Sequence, residues 1–154
     1  MGQDVTTIQD VLITELRQIE DRRGAVLHML RNDSSGYNGF GECYFSEILP
    51  GAIKAWKRHR QQTQNFAVPI GRIKLVVFDG REKSTSRGEL MELELGRPDR
   101  YLRITIPPDI WYGFICISST TALLVNCADI PHCPEESEIR EPDTTLIPYD
   151  WWQK

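Results

Sequence analysis

The sequence lacks any long apolar segment. No run approaches the roughly 20 consecutive apolar residues that a membrane-spanning helix needs, and the first ten residues, MGQDVTTIQD, have neither the basic start nor the apolar stretch of a secretory signal. Glycine, with 11 residues, and proline, with 9, are too scarce for a fibrous or disordered chain. These absences predict a globular, cytoplasmic protein without a membrane partner.

Cysteine is also scarce, and its spacing contains no CxxC pair. The chain of 154 residues has four cysteines, Cys43, Cys116, Cys127 and Cys133, and at that length a hydrophobic core forms without cross-links. We therefore expect free thiols. Because no linker, internal repeat or low-complexity segment interrupts the sequence, we expect a single domain over residues 1–154.

Carboxylates are absent between Glu47 and Asp79. That stretch contains His59 and the following cationic residues: Lys54, Lys57, Arg58, Arg60, Arg72 and Lys74. A net charge of -4 argues against nucleic-acid binding, whereas a basic stretch without acids attracts a small anion. Residues 129–154 instead hold seven acids against two bases. We expect them to form a solvated acidic tail without chemistry, and residues 1–18 to form an N-terminal arm.

Short segments rich in β-branched and aromatic residues recur along the chain. They are AVLHML, ECYFSEI, AIKAWK, RIKLVVF, LMELEL, YLRITI, YGFICI and TALLVN. Turn-forming stretches such as NDSSGYNG, DGREKSTSRG and GRPD separate them, as in an antiparallel sandwich or barrel. The pattern predicts an all-β fold. Only TTIQDVLITEL fits a helix and a strand equally well.

Five residues in and beside the basic stretch have the spacing of a pocket motif. They are Gly51, Lys57, His59, Gln64 and Gly71. This spacing resembles the first motif of cupin jelly rolls, in which two histidines and an acid bind a metal between two glycines. A protonated Lys57 repels a cation, and His59 is the one usual ligand left. We therefore expect a cupin-type jelly roll without a metal or other cofactor.

Further motifs extend this resemblance over residues 19–152. They are Asp21, Arg23 and Gly24; Asp79, Arg81, Ser84 and Gly88; and Glu94, Leu95, Ile106, Pro107, Pro108, Gly113 and Phe114. In order and spacing they are similar to the dTDP-4-dehydrorhamnose 3,5-epimerases, which are metal-free cupins of deoxysugar biosynthesis. The resemblance implies a strand-sharing homodimer and a nucleotide-linked 4-keto-6-deoxysugar as substrate. We interpret Asp79 and Arg81 themselves as a structural turn pair.

The resemblance also implies that the usual catalytic residues are substituted. The family inverts carbons beside the keto group with a base, an enolate stabiliser and an acid. The family's base, a histidine, falls on Lys57, its enolate-stabilising lysine on Arg72, and its proton-donating tyrosine on Val125. Tyr112 replaces a second histidine of the pocket. Three binding positions of the family also have counterparts here. Arg23 matches an arginine that contacts the nucleotide, Lys54 takes the place of a phosphate-binding arginine, and Glu42 takes the place of a glutamine of the pocket.

Several roles stay open at the level of sequence. The base is either Lys57 or His59, which strand alternation turns to the same side, and Lys57 is otherwise a phosphate contact. Tyr112 either returns a proton or packs with Trp111. Two functions follow: an epimerase or related isomerase acting beside the keto group, or a catalytically silent cupin that binds a nucleotide sugar or another anionic glycan precursor.

Overall fold

The computed structural model describes residues 7–153, which form twelve β-strands and one short 3-10 turn. The strands are β1 (Leu12–Glu15), β2 (Gln18–Asp21), β3 (Gly24–Leu27), β4 (Glu42–Ile48), β5 (Ile53–His59), β6 (Gln64–Ile70), β7 (Arg72–Asp79), β8 (Leu90–Gly96), β9 (Leu102–Ile106), β10 (Ile110–Cys116), β11 (Ala122–Ala128) and β12 (Ser137–Ile139). The 3-10 turn spans Pro134–Glu136. This content confirms the all-β prediction.

Two five-stranded antiparallel sheets form the body of the molecule. The first sheet has the strand order β1-β9-β6-β11-β4, and the second has the order β12-β5-β10-β7-β8. A separate hairpin pairs β2 with β3. Antiparallel sheets with neighbours distant in sequence are the jelly-roll arrangement that the sequence predicts.

Side-chain alternation divides the strands of each sheet into an inner and an outer face. On β7, Ile73, Leu75 and Val77 join the main core together with Phe66 and Ile104 of the first sheet. The intervening positions of β7 point to the other side, as the two-residue period of a strand requires. The space between the sheets is therefore apolar over most of its depth.

The C-terminal residues cover the outer face of the second sheet. Trp56, Trp111 and Val76 pack there against Ile147 and Trp151 in a second buried cluster. The expectation of a solvated tail therefore holds only in part: Glu135, Glu141 and Asp143 are exposed, whereas Ile147 and Trp151 are buried against the apolar outer face of the sheet. Glu136, in the 3-10 turn, also departs from the expected solvated tail, because its side chain is buried.

The described part of the N-terminal arm, residues 7–18, likewise contributes to the core, and residues 1–6 lie outside the described residues. The ambiguous segment forms a turn followed by β1, which pairs with β9 from Leu12↔Thr105 to Glu15↔Leu102. Ile8, Val11 and Ile13 are buried in the main cluster. Strand pairing and burial thus show that this segment contains a strand, whereas the sequence alone did not decide between a helix and a strand.

A β-bulge interrupts the pairing of β5 with β10. Tyr112 pairs with Lys57, but the next residue, Gly113, pairs with Ala55, so Trp56 is the extra residue. Because of the extra residue, the side chains beyond the bulge point to the opposite face of the sheet from the one they would have in a regular strand. Lys54 and Lys57 are three residues apart and would face opposite sides of a regular strand, yet both line the same cavity.

The four cysteines are free thiols. Cys43 on β4 lies directly opposite Cys127 on β11, with their Sγ atoms 3.4 Å apart. Within residues 7–153, no helix has the length and apolar character that crossing a membrane requires.

Candidate active site

A cavity of about 470 Å³ opens between the two sheets. The first sheet contributes Glu42, Tyr44, Ser46, Phe66 and Leu124, and the second contributes Lys54, Ala55, Trp56, Lys57, Tyr112 and Phe114. His132 and Ile139 complete the lining. The cavity has an apolar floor and carries cationic and phenolic groups on its walls, which suits an organic anion.

His59, at the end of β5, connects the cavity to a buried carboxylate. Its Nε2 lies 2.9 Å from the Tyr112 hydroxyl, and its Nδ1 lies 2.5 Å from Glu136 Oε1. The backbone N–H groups of Gln61 and Gln62 donate to the other oxygen of Glu136. Because an ionised carboxylate only accepts, Nδ1 carries the ring proton and Nε2 accepts the proton of the Tyr112 hydroxyl. We call Tyr112, His59 and Glu136 the relay.

Burial sets the protonation states of the relay. It lowers the pKa of His59, and the hydrogen bond with Glu136 opposes this shift without cancelling it. Burial by itself raises the pKa of Glu136, but the His59 ring and the backbone donors outweigh it, so the carboxyl has a pKa below its ordinary value. Burial raises the pKa of Tyr112 far above its ordinary value. At neutral pH the relay therefore consists of a phenol, a neutral imidazole and a carboxylate.

The two lysines of the cavity have different surroundings. Lys54 Nζ donates to Ser46 Oγ at 3.0 Å and to the backbone oxygen of Glu47 at 2.7 Å. Neither acceptor is a carboxylate, so the charge of Lys54 is not neutralised. Lys57 makes no ion pair with any carboxylate among residues 7–153. Both ammonium groups therefore remain available to an anionic ligand.

A buried amide network supports the opposite wall. Asn126 on β11 donates through Nδ2 to the Tyr44 hydroxyl at 2.9 Å and also to Gln64 Oε1. The Oδ1 atom of Asn126 accepts the backbone N–H of Asn65 at 3.2 Å, which fixes the orientation of the amide. Gln64, the position of a metal-binding acid in the cupin motif, is thus held in a hydrogen-bonded network with Gln62.

Four of the seven predicted site residues line the cavity. These are Glu42, Lys54, Lys57 and Tyr112. His59 lies behind Tyr112, so it acts on the cavity through the phenol.

Arg72 and Arg23 lie elsewhere. Arg72 has the outward parity of β7, and its guanidinium binds Glu94 and Asp99, so the prediction that it faces the cavity is wrong. Arg23 lies in the turn between β2 and β3, where its side chain is 89% exposed and pairs with Asp21. The chain's own cavity therefore contains neither arginine.

Val125, the position that matches the family's proton-donating tyrosine, does not face the cavity. On β11 the buried positions are Ala122, Leu124, Asn126 and Ala128, which alternate with partly exposed ones. Val125 has the outward parity, so a side chain at this position does not reach the cavity. Leu124 is the residue of β11 that lines the cavity, and the inward Asn126 supports Tyr44 by a hydrogen bond.

Three site residues escaped sequence reasoning. Tyr44 was detectable, because Glu42, Tyr44 and Ser46 follow the two-residue period of one strand face and Glu42 was already assigned to the pocket. Glu136 gave no signal, since it lies in an acidic segment typical of a solvated surface. Asn126 gave no signal either, because its hydrogen-bond partners Tyr44 and Gln64 are distant in the sequence.

Metal ligands do not converge in this site. Among residues 7–153, no three or more His, Cys, Asp or Glu side chains are grouped so that they could hold a metal ion. Both ring nitrogens of His59 already bind Tyr112 and Glu136. The donor set fits acid–base chemistry by organic groups.

Comparison with known proteins assigns the family. The family model of dTDP-4-dehydrorhamnose 3,5-epimerase matches residues 5–153. The chain is 36% identical, over 145 residues, to a probable low-salt glycan biosynthesis epimerase of Haloferax volcanii, covering 93% of this chain and 89% of that protein. It is 51% identical to a crystal structure of a dTDP sugar isomerase from Desulfovibrio desulfuricans, with a TM-score of 0.94 and coverage of 96% and 94%.

A more distant structure confirms the cupin-type fold. The dTDP-6-deoxy-D-glucose-3,5-epimerase of Legionella pneumophila, solved in complex with dTDP-4-keto-L-rhamnose, superposes with a TM-score of 0.86 at 20% identity, covering 99% of this chain and 84% of that one. At this identity the likeness shows the fold alone. Together with the family match over nearly the whole chain, these findings establish that the chain belongs to the dTDP-4-dehydrorhamnose 3,5-epimerase family.

Proposed function

We propose that the protein is an epimerase that inverts a carbon beside the keto group of a nucleotide-linked 4-keto-6-deoxysugar. Family membership supports a sugar epimerase of deoxysugar or glycan biosynthesis. The observation that carries the catalytic part is the relay: a phenol on the cavity wall, backed by a neutral imidazole and an ionised, buried carboxylate. The buried carboxylate of Glu136 is linked through His59 to a phenol of the cavity, which is the arrangement expected of a base rather than of a structural ion pair.

The relay can act as the base. When the Tyr112 oxygen takes a proton from the carbon beside the ketone, the hydroxyl proton of Tyr112 passes to His59 Nε2. The electron pair of the broken C–H bond stays on the sugar as an enolate, and Glu136 stabilises the imidazolium that forms. His59 thus supplies the basicity although it does not reach the cavity.

The cationic residues hold the anionic parts of the substrate. We assign Lys57 to the developing enolate oxygen, because it is the cation paired in register with Tyr112. Lys54, held at the rim by Ser46 and the Glu47 carbonyl, binds the diphosphate. In this assignment Lys57 is an electrostatic stabiliser and the relay is the base.

Proton exchange in heavy water tests this function. The probe is dTDP-4-keto-6-deoxyglucose, followed by proton NMR. The wild type should incorporate deuterium beside the ketone and invert that carbon, and His59→Ala should lose exchange while still binding dTDP. His28→Ala is the matched control, because His28 lies beside a different, smaller cavity. Wild-type exchange in His59→Ala would remove the relay from the mechanism, and no exchange in the wild type would refute the epimerase.

We further propose a homodimer in which the β2–β3 hairpin reaches the partner's cavity. Arg23, at the tip of this hairpin, is too exposed to serve its own site, and Ile19 and Val26 are apolar residues exposed on the same hairpin. Light scattering should give twice the chain mass of 17.8 kDa. A monomer, or dTDP binding unchanged in Arg23→Ala, would refute this arrangement.

A further inference from the structure

Tyr44 is a phenol of the cavity that the relay does not use. It lies on β4 of the first sheet and lines the same cavity as Lys57 and Tyr112, which lie on the second sheet. The two phenols therefore stand on different walls. A sugar ring bound between the sheets with its plane parallel to them would present one face to each wall.

The hydroxyl proton of Tyr44 is free to be donated. Asn126 is the cross-strand partner of Tyr44 and donates from Nδ2 to the Tyr44 oxygen. The amide cannot be reversed, because its Oδ1 already accepts the backbone N–H of Asn65. Tyr44 is thus the acceptor in its hydrogen bond with Asn126, and its own hydroxyl proton takes no part in that bond.

Inversion of a carbon needs two groups on opposite faces. The base removes a proton from one face, and retention results unless another group delivers a proton to the other face. β11 contains no phenol that faces the cavity, since its sequence is ALLVNCA. Tyr44 is the phenol of the first sheet that lines the cavity and can donate a proton.

We infer that Tyr44 protonates the enolate on the face opposite the relay and so completes the inversion, an inference that rests on the proposed epimerase function. The O–H bond of Tyr44 breaks and a C–H bond forms with the electron pair of the enolate. The phenolate left behind accepts the hydrogen bond from Asn126 Nδ2. Because Tyr44 is 39% exposed, water returns the proton.

The electrostatics of Tyr44 agree with a donor. Burial raises the pKa of its phenol above the ordinary value, and the hydrogen bond from Asn126 opposes this shift. The group therefore holds its proton at neutral pH, as a general acid must. The same hydrogen bond stabilises the charged form after transfer.

The test separates exchange from inversion. Tyr44→Phe is incubated in heavy water with dTDP-4-keto-6-deoxyglucose, and NMR follows both deuterium incorporation and the configuration of the carbon beside the ketone. We expect exchange close to the wild-type rate with retained configuration, and a loss of inversion of about 100-fold or more, the usual contribution of a positioned acid. Tyr37→Phe, a tyrosine outside the cavity lining, is the control and should keep both activities.

The outcomes are distinct. Inversion by Tyr44→Phe within threefold of the wild type overturns the role of Tyr44 and leaves the epimerase intact. Equal loss of exchange and inversion, with dTDP binding and the thermal transition unchanged, also overturns it, because Tyr44 is then needed for enolate formation. A wild type that neither exchanges nor inverts refutes the proposed function and this inference with it.

Discussion

At the scale of single residues, the site depends on how two buried groups keep each other in the right protonation state. His59 is neutral because burial disfavours its charge, and Glu136 is ionised because it accepts a proton-bearing ring nitrogen and two backbone N–H groups. Each group would behave differently alone. Removing one therefore alters the chemistry of the other.

Glu136→Gln tests this dependence. The carboxylate stabilises the imidazolium, so its loss should lower kcat by about 10- to 150-fold, which corresponds to the roughly 1.5–3 kcal/mol of a hydrogen bond to a charged group. The carboxylate also raises the pKa of His59, so the variant's imidazole should have a still lower pKa. The acid limb of the pH–rate profile should then move to lower pH. The exposed neighbour, in Glu135→Gln, should leave both quantities unchanged.

Lys54→Ala tests the binding of the diphosphate. The Lys54 ammonium has no carboxylate partner among the described residues. Its attraction to a bound phosphate is therefore not weakened by an acidic side chain. We expect dTDP binding to weaken by about 1.5–3 kcal/mol, with little change in the exchange rate at saturation. Titration calorimetry measures the first quantity. Lys83→Ala, in an exposed loop, is the control, and equal affinity in the two variants would contradict the assignment.

Residues that line the cavity were predictable from the sequence wherever a motif covered them. Lys57 was assigned to the cavity from the cupin spacing and Tyr112 from the resemblance to the epimerases, and both line it. Arg72 was assigned by alignment without regard to parity, and the alternation of β7 sends it to the other face. Glu136 was not predictable, because its partner is 77 residues away and exposed acids are common.

At the scale of elements, the loop between β7 and β8 is organised around one carboxylate. Asp79 is fully buried and accepts hydrogen bonds from the Arg81 guanidinium, Ser84 and Ser86. Burial alone would raise its pKa, but these donors outweigh that effect, and its pKa lies far below the ordinary value. This agrees with the prediction of a structural turn pair.

Asp79→Asn should destabilise the fold by about 3–5 kcal/mol, the usual cost of leaving one member of a buried charge pair alone. The wild type should itself lose this contribution in acid. A carboxyl whose pKa is depressed by folding stabilises the protein above its unfolded pKa of about 4 and loses that contribution as the pH falls further. Urea denaturation measures both effects. Glu82→Gln, an exposed carboxylate of the same loop, should change the free energy of unfolding by less than about 0.5 kcal/mol.

Strand prediction succeeded where composition was typical and failed where polar residues were buried. ECYFSEI coincides with β4, and TALLVN with most of β11. β6 (QNFAVPI) was missed, because Gln64, Asn65 and Pro69 are unusual in strands. Its amides are tolerated because Asn126 and Thr105 satisfy them. The bulge at Trp56 was equally invisible, since it depends on pairing with β10.

At the scale of the whole molecule, the C-terminal segment holds the outside of the second sheet. Trp151 packs 5.2 Å from Trp56 and 4.9 Å from Tyr149, measured between ring centroids. Its ring also lies over Gly113, where a Cβ would come within 2.9 Å of Trp151 Cζ2. The segment therefore supports β5 and β10, the two strands that carry Lys57 and Tyr112.

Adjacent tryptophans provide a matched test of this support. Trp151 is 4% exposed and Trp152 is 59% exposed. Trp151→Ala should lower the free energy of unfolding by about 3–5 kcal/mol, whereas Trp152→Ala should change it by less than about 0.5 kcal/mol. Chemical denaturation followed by circular dichroism gives both values. A change in Trp151→Ala as small as that expected of Trp152→Ala would show that Trp151 does not stabilise the fold.

The relay and the Asn126 network of the site join residues far apart in the chain. Glu136 is 77 residues from His59, and Asn126 is 82 from Tyr44 and 62 from Gln64. Such contacts form only after long loops have closed, which places refolding in the slow range of milliseconds to seconds that is typical of β-sandwiches. The relay and the Asn126 network consequently have no local precursor. In stopped-flow refolding, affinity for dTDP should return with the last phase of sheet formation, because both networks join segments that are distant in the chain.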